Sequence, residues 1–159
     1  MGPYMNEIFR AAVEGLESKY RALMQMAPIH ALQQIPSREP VSGVYMFSEG
    51  NKHLYVGRSK RIRARYSDHT RDASDMNSAP FAMLLAREVT GISRVYSGEL
   101  TRRNLSSHPE FGPAFLDAKR RIRSMSFRYV EEADPLTQTL LECYVAIAVG
   151  ASHNSFETH

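Results

Sequence analysis

One acidic residue interrupts an otherwise apolar stretch near the end of the chain. From residue 140 to residue 149 the sequence is LLECYVAIAV, and Glu142 is its single charged residue. A helix that is apolar on all sides is normally buried, and a buried carboxylate is costly unless it meets a cation or hydrogen-bond donors. Glu142 therefore predicts either a functional acid that faces a cleft or a structural ion pair with an arginine.

Two tyrosines lie ten residues apart on either side of a short turn. Tyr45 belongs to the segment VSGVYMFS and Tyr55 to HLYV, and the turn EGNK at residues 49–52 joins them. These segments predict the two strands of a β-hairpin. Gly43 and Gly57 flank the tyrosines and permit close approach of other groups to the backbone. The two phenols could orient a reacting molecule, or they could simply pack within a sheet.

Three potential phosphate-binding or proton-transferring side chains follow at intervals of four residues. Arg61, Arg65 and His69 share one face of a helix that the pattern predicts over residues 60–70. An arginine can bind a phosphate through two parallel hydrogen bonds, and a histidine can transfer a proton near neutral pH. The alternative is a basic helix that only faces solvent.

Basic residues are concentrated in two stretches, although the net charge of the chain is only +3. This concentration predicts a polyanionic partner, and solvated helix faces are the alternative. The first stretch holds Arg58, Lys60, Arg61, Arg63, Arg65 and Arg71, and the second holds Lys119, Arg120, Arg121, Arg123 and Arg128. If that partner is a nucleic acid, the residues predicted to bind it are Lys60, Arg61, Arg63, Lys119, Arg120, Arg121 and Arg123.

The size and composition of the chain favour one compact domain with a small extension. Its 159 residues include one cysteine, Cys143, so neither an intrachain disulfide nor a zinc site built on several cysteines is expected. Neither a signal peptide nor a long apolar run is evident, which predicts a cytoplasmic protein outside the membrane. The remaining histidines lack metal-binding spacing and are predicted to be structural or surface groups: His30, His53, His108, His153 and His159.

The periodicity of apolar residues predicts an α+β fold. Asp134 and Pro135 are expected to begin the last helix, as N-cap and first-turn residue, and Gly150 to end it. The segment 92–100 is left open, with a short strand as one option. The other predicted elements are helices at 4–26, 60–70, 80–89 and 111–125 and strands at 41–48, 53–56 and 127–131.

The tripeptides GVY at 43–45 and YVG at 55–57 resemble the pair that names the GIY-YIG nuclease superfamily. Valine replaces isoleucine in both tripeptides. Further residues match the superfamily pattern in type and order, namely Arg58, Arg65, His69, Glu142 and Asn154.

This resemblance implies a small central three-stranded antiparallel sheet flanked by helices. It places a nuclease domain at residues 37–159, preceded by a helical extension at residues 1–36. The interval between His69 and Glu142 is longer than in the smallest members, so an insertion is expected near residues 97–124.

The resemblance also implies a metal-dependent endonuclease that hydrolyses phosphodiester bonds in DNA. Glu142 would hold one Mg²⁺ or Mn²⁺, and Tyr55 or Tyr45 would orient or deprotonate the attacking water.

Four further residues complete the catalytic set that the resemblance implies. Arg58 and Arg65 would stabilise the charge on the phosphate. His69 would relay a proton, and Asn154 would fix the site through hydrogen bonds.

Other functions stay open on the sequence alone. The first is a catalytically inactive nucleic-acid-binding module on the same scaffold, and the second is a protein-interaction domain whose basic stretches are solvated. A homodimer or a partner protein could be contacted through the N-terminal helix or the insertion. The sequence does not distinguish repair, restriction and mobile-element roles, nor does it reveal a target sequence or DNA structure.

Overall fold

The α+β fold and the central three-stranded antiparallel sheet are both confirmed by the computed structural model, which describes residues 5–38, 40–92, 102–154 and 156. The strand order is β2-β1-β3, so β1 is central. The strands are β1 (Gly43–Glu49), β2 (Lys52–Ser59) and β3 (Ser126–Glu131). The helices are α1 (Glu7–Glu14), α2 (Leu16–Gln25), α3 (Ile62–Thr70), α4 (Pro80–Thr90), α5 (Arg102–Leu105), α6 (Phe111–Arg123) and α7 (Pro135–Val149).

Alternation along β1 sends its side chains into two separate apolar cores, one on each face of the sheet. Tyr45 and Phe47 face the larger core, to which α3, α4 and α6 contribute. Val44 and Met46 face the smaller core, which α2 and α7 cover. Because helices cover both faces, the central strand is buried on both sides.

The predicted hairpin forms, with its turn at Gly50 in the left-handed region at φ +60°. In its register Tyr45 lies opposite Gly57 and Phe47 lies opposite Tyr55. Tyr45, Tyr55 and Gly57 therefore belong to the same face of the sheet. This register brings the two predicted phenols together.

The last helix begins and ends as the sequence predicts. The Asp134 carboxylate accepts a hydrogen bond from the N–H of Thr137 at 2.8 Å, and Gly150 ends the helix at φ +65°. However, α7 is not buried on all sides, since Leu136 is 69% exposed and Ile147 is 80% exposed. Only the side of α7 that faces the sheet and α2 lies in the core, so Glu142 lies at a margin and not deep inside the fold.

The N-terminal segment forms two helices instead of the single predicted one. Gly15 separates α1 from α2, in keeping with the low helix propensity of glycine. Leu16 and Leu23 of α2 lie in the same core as α7. Helix α2 thus shares a core with the sheet, and the proposed domain division after residue 36 stays a prediction.

The segment between α4 and β3 contains α5 and α6, and α6 packs against α4 and α3. The undecided segment 92–100 and the start of the proposed insertion fall largely on residues 93–101, which lie outside the described residues. Helix α3 begins at Ile62, so Lys60 and Arg61 precede it. Within the described ranges, no helix has the length and apolar character needed to cross a bilayer.

The backbone of β1 approaches β3 so closely at Gly43 that a side chain cannot fit. A Cβ atom there would lie 1.9 Å from the carbonyl oxygen of Val130. We expect Gly43→Ala to lower the free energy of unfolding by about 1–3 kcal/mol, because the strands must separate to admit the methyl group. Urea denaturation measures this change. Gly15→Ala is the matched control, since its Cβ would meet nothing closer than 3.6 Å and alanine favours the helical backbone; an equal loss in both variants would contradict the prediction.

Candidate active site

A buried tyrosine hydroxyl lies at the centre of the candidate site. Tyr45 is 1% exposed, and its hydroxyl lies 2.9 Å from Nε2 of His69. The Nε–H of Arg65 donates to the same hydroxyl at 3.3 Å. A Cβ on Gly57 would lie only 2.4 Å from this oxygen, so the space that Tyr45 occupies exists because residue 57 is glycine.

The second phenol lies beside the first and keeps part of its surface exposed. The ring of Tyr55 is centred 6.4 Å from that of Tyr45 and 5.7 Å from that of His69. Its face stacks on Phe81 of α4, with ring centroids 4.7 Å apart and an interplanar angle of 8°. Tyr55 is therefore held between the sheet and α4, and it is the better placed of the two phenols to meet a bound molecule.

Arg65 brings a positive charge next to both phenols. Besides Tyr45, it donates to the carbonyl oxygen of Ser78 at 2.9 Å and lies 3.9 Å from a carboxylate oxygen of Asp68. Its side chain remains 26% exposed. The guanidinium is thus anchored by the protein and still reaches the surface.

Glu142 forms an ion pair with an arginine, which is one of the two alternatives that the sequence leaves open, and it keeps part of its surface exposed. Its carboxylate lies 3.4 Å from Nε of Arg58, and the two side chains are 22% and 43% exposed, respectively. Partial burial raises the pKa of Glu142, and Arg58 opposes that shift. The charge of Glu142 also raises the pKa of Tyr45 and of Tyr55, so the acid and the phenols lie near enough to interact.

The buried groups of the site favour their uncharged forms. Burial raises the pKa of Tyr45 far above its usual value, and it also raises the pKa of Tyr55, while Arg65 opposes both shifts. Burial lowers the pKa of His69 well below its ordinary value, and the nearby Arg65 lowers it further. His69 is therefore neutral at pH 7, and neither phenol ionises readily.

Asn154 lies against the outer edge of β2. Its Oδ1 accepts a hydrogen bond from the N–H of Val56, and its Nδ2 donates to the carbonyl oxygen of the same residue, both at 2.7 Å. This pair of hydrogen bonds satisfies both backbone polar atoms of Val56, which lies between Tyr55 and Gly57. All seven residues of the predicted catalytic set thus lie on β2 or near it: each is part of the hairpin or contacts a residue that is.

The first basic stretch runs from the end of β2 into α3 and keeps much of its charge exposed. Lys60 and Arg61 are exposed. Arg61 and Arg63 line a groove between α3 and the connector that precedes β1, together with Arg38. Arg63 is also tied to the fold, because its Nε donates to the carbonyl oxygen of Ile35 at 3.2 Å.

The second basic stretch, which lies on α6 except for Arg128 on β3, is largely occupied by contacts inside the protein; Arg128 itself donates to the carbonyl oxygen of Met26 at 2.8 Å. Lys119 is 3% exposed and donates to the carbonyl oxygens of Asp72 and Ser74. Arg121 forms two hydrogen bonds with Glu49, both at 2.8 Å. Arg120 and Arg123 pair with Asp72, and Arg123 also donates to the carbonyl oxygen of Thr70. The sequence predicts that these cations are available to an external polyanion. In the structure they instead contact acids and carbonyl oxygens from distant positions in the chain.

The donor set around Glu142 fits one kind of metal ion better than others. Among residues 5–38, 40–92 and 102–154, no cluster of three or more His, Cys, Asp or Glu side chains could hold a metal. A single partly exposed carboxylate suits Mg²⁺, which binds through one or two protein oxygens, water and substrate phosphate. It does not suit a zinc site, which needs at least three protein ligands.

Two groups beside the phenols carry no signal in the sequence. Phe81 resembles any apolar residue of an amphipathic helix, yet its ring stacks on Tyr55. Ser78 acts through its carbonyl oxygen, which every residue possesses. Only the packing of α4 and its preceding loop against the hairpin identifies them.

Comparison with known proteins gives one distant similarity. The chain is 29% identical over 104 residues to UvrABC system protein C of Prochlorococcus marinus (strain MIT 9312), an alignment that covers 62% of this chain. The same alignment covers 16% of the relative, so the chain corresponds to a small part of that protein. No family model and no solved structure matches.

The environment of His69 predicts an unusual titration. Because burial and Arg65 both lower the pKa of His69, we expect its Cε1–H resonance to stay at the neutral position at pH values where an ordinary histidine, with a pKa of about 6.5, is already protonated. Two-dimensional ¹H–¹³C NMR measures this, with His69→Gln to assign the signal. A midpoint for His69 near the ordinary value would contradict the neutral, buried ring.

Proposed function

We propose that this chain is a metal-dependent endonuclease of the GIY-YIG type that hydrolyses phosphodiester bonds in DNA. The observation that carries the proposal is the convergence of two phenols, a guanidinium and a carboxylate around the edge strand β2. Tyr45, Tyr55, Arg65 and Glu142 interact electrostatically although they come from four different elements. The distant similarity to UvrABC system protein C supports a nuclease-like, DNA-related function.

Glu142 is the residue that would hold the metal. A bound Mg²⁺ or Mn²⁺ would supply a Lewis acid that stabilises negative charge on the leaving oxygen. The carboxylate is available for this role because it lies at the margin of α7 and retains exposed surface. Arg58, its present partner, lies beside the same position and could bind the phosphate once the metal engages the carboxylate.

The structure favours different roles for the two phenols. Tyr45 is sealed from solvent, so it positions neighbouring groups and does not touch the substrate. Tyr55 is partly exposed and can accept a hydrogen bond from the attacking water. Because burial raises its pKa, we propose that Tyr55 orients the water as a neutral phenol.

His69 and Arg65 complete the arrangement. His69 is buried and neutral, which makes it a poor carrier of protons; its contribution is the hydrogen bond that fixes the Tyr45 hydroxyl. Arg65 is held by Tyr45 and Ser78 and presents a fixed positive charge. Such pre-oriented charge stabilises the transition state without reorganisation.

The DNA backbone would lie along the first basic stretch, which begins at the site itself. Lys60 and Arg61 are exposed there and can contact phosphates.

We propose that the protein acts in the cytoplasm, where DNA and Mg²⁺ are available. Any larger assembly, through the N-terminal helices or the α5–α6 segment, stays a separate proposal.

The metal role of Glu142 is tested by Glu142→Gln in a plasmid-nicking assay with Mg²⁺ or Mn²⁺. The amide keeps the shape of the side chain and removes its charge, so DNA should still bind while the cutting rate falls by about 100-fold or more. Glu17→Gln is the matched control, because Glu17 is also a partly exposed acid paired with an arginine, on α2.

The outcomes of this assay separate the three candidate functions, namely the endonuclease, the inactive binding module and the protein-interaction domain. Undiminished cutting by Glu142→Gln would remove Glu142 from the metal role. Salt-sensitive DNA binding by the unaltered protein without any cutting, in either metal, would favour the inactive binding module. If the unaltered protein neither binds nor cuts DNA, the protein-interaction domain is the function that remains.

The second basic stretch is paired with acidic side chains, and this difference between the two stretches predicts unequal contributions to DNA binding. Replacing both Lys60 and Arg61 by alanine should reduce the magnitude of the slope of log K for DNA binding against log salt concentration by about two. Each phosphate contact contributes roughly 0.9 to that magnitude. Replacing Arg120 and Arg121, which are engaged by Asp72 and Glu49, should change the slope less. Fluorescence anisotropy on a DNA duplex at several salt concentrations measures both, and a larger effect of the α6 pair would reverse the proposed DNA path.

A further inference from the structure

The outer edge of β2 is covered by the residues that follow α7. Within the described part of the chain, β2 pairs with β1 on one side only, so its outward peptide groups need other partners. The N–H of His153 donates to the carbonyl oxygen of Leu54 at 2.9 Å, and Asn154 binds both polar atoms of Val56. These contacts lie on either side of Tyr55 along the strand. The segment 153–154 therefore fixes the backbone that carries Tyr55.

The side chain of His153 is itself held in one orientation. Its Nε2 lies 2.8 Å from a carboxylate oxygen of Glu88 on α4, and its Nδ1 lies 2.8 Å from the hydroxyl of Ser152. The ring is 15% exposed, whereas Glu88 is 63% exposed. A surface acid thus fastens a mostly covered histidine to α4.

His153 also contacts the ring against which Tyr55 is stacked. The rings of His153 and Phe81 are centred 5.6 Å apart at an interplanar angle of 60°, an edge-on arrangement. Phe81 in turn stacks on Tyr55. Phe81 and Glu88 lie seven residues apart, about two helical turns, so the same face of α4 presents both to His153. His153 consequently acts on Tyr55 in two ways, through the strand and through the stacked ring.

We propose that His153, held by Glu88, is a positioning residue that fixes the ring of Tyr55. The proposal rests on the function proposed above insofar as Tyr55 orients the attacking water. Loss of the His153 side chain frees Phe81 on one side and releases the 153–154 segment from α4. The phenol then moves relative to its neighbours, and a misplacement of about 1 Å at a reacting group can cost roughly 100-fold in rate.

The position of Tyr55 can be measured independently of any activity. The 8 tyrosines are replaced uniformly by 3-fluorotyrosine, and Tyr55→Phe assigns the Tyr55 signal in ¹⁹F NMR. His153→Ala should shift and broaden that signal, because the ring loses its fixed place against Phe81. Glu88→Ala should change it in the same direction, and this variant should fold because Glu88 is largely exposed. His153→Gln, which retains a donor for Glu88, should restore part of the original signal.

The catalytic consequence is measured on the same proteins by single-turnover nicking at saturating DNA. His153→Ala should lower the rate by about tenfold while the Kd for DNA changes by less than about twofold, since the residue positions a phenol and binds no phosphate. His30→Ala is the control: His30 is an exposed histidine on the connector before β1, and its replacement should change neither the fluorine signal nor the rate.

The two measurements test different parts of the proposal, so each can contradict it independently of the other. An unchanged Tyr55 signal in both His153→Ala and Glu88→Ala overturns the positioning role. A shifted signal with an unchanged nicking rate overturns its importance for the reaction. If the unaltered protein does not cut DNA, the proposed function fails, and the fluorine signal still decides whether His153 fixes Tyr55.

Discussion

The placement of the Tyr45 hydroxyl against Gly57 is the constraint on which the site depends. A buried hydroxyl is costly without hydrogen-bond partners, so the groups that satisfy it must lie in a fixed arrangement. His69 and Arg65 both meet it, which fixes the rotation of α3 relative to the hairpin. Strand register and helix orientation are thereby linked through one oxygen atom. The same oxygen needs the absence of a side chain at residue 57, which explains why glycine stands there.

The charges of the site follow from how deeply each group lies. Tyr45 and His69 are buried and uncharged, and they serve to hold other groups in place. Tyr55, Arg65 and Glu142 reach the surface and can meet a substrate. Burial therefore divides the predicted catalytic set into residues enclosed by the protein and residues that a bound molecule could reach. The ion pair of Glu142 with Arg58 belongs to the second group, because both side chains remain partly exposed.

The two basic stretches show how the same composition leads to different surfaces. Near α3, the acids available in sequence are few, and Lys60 and Arg61 stay exposed. On α6, Asp72 and Glu49 approach from distant positions and engage three arginines, while Lys119 is drawn inside to bind two carbonyl oxygens. This second group of cations joins α6 to the loop after α3 and to the hairpin turn. Charge counted along the chain thus does not reveal which cations are paired with acids from distant positions.

The sequence by itself determined the local elements and the identity of the candidate residues. Apolar periodicity, the hairpin turn at Gly50 and the Asp134–Pro135 helix start depend on neighbours in the chain, and these are confirmed. The tertiary structure alone decided which side chains are buried, which cations are free and which groups lack a sequence signal, such as Phe81 and His153. Burial and pairing are properties of residues far apart in the chain, since the partner of Glu142 is Arg58 and that of His153 is Glu88. Spacing in one dimension cannot specify such contacts, because the packing of helices on the sheet brings them together.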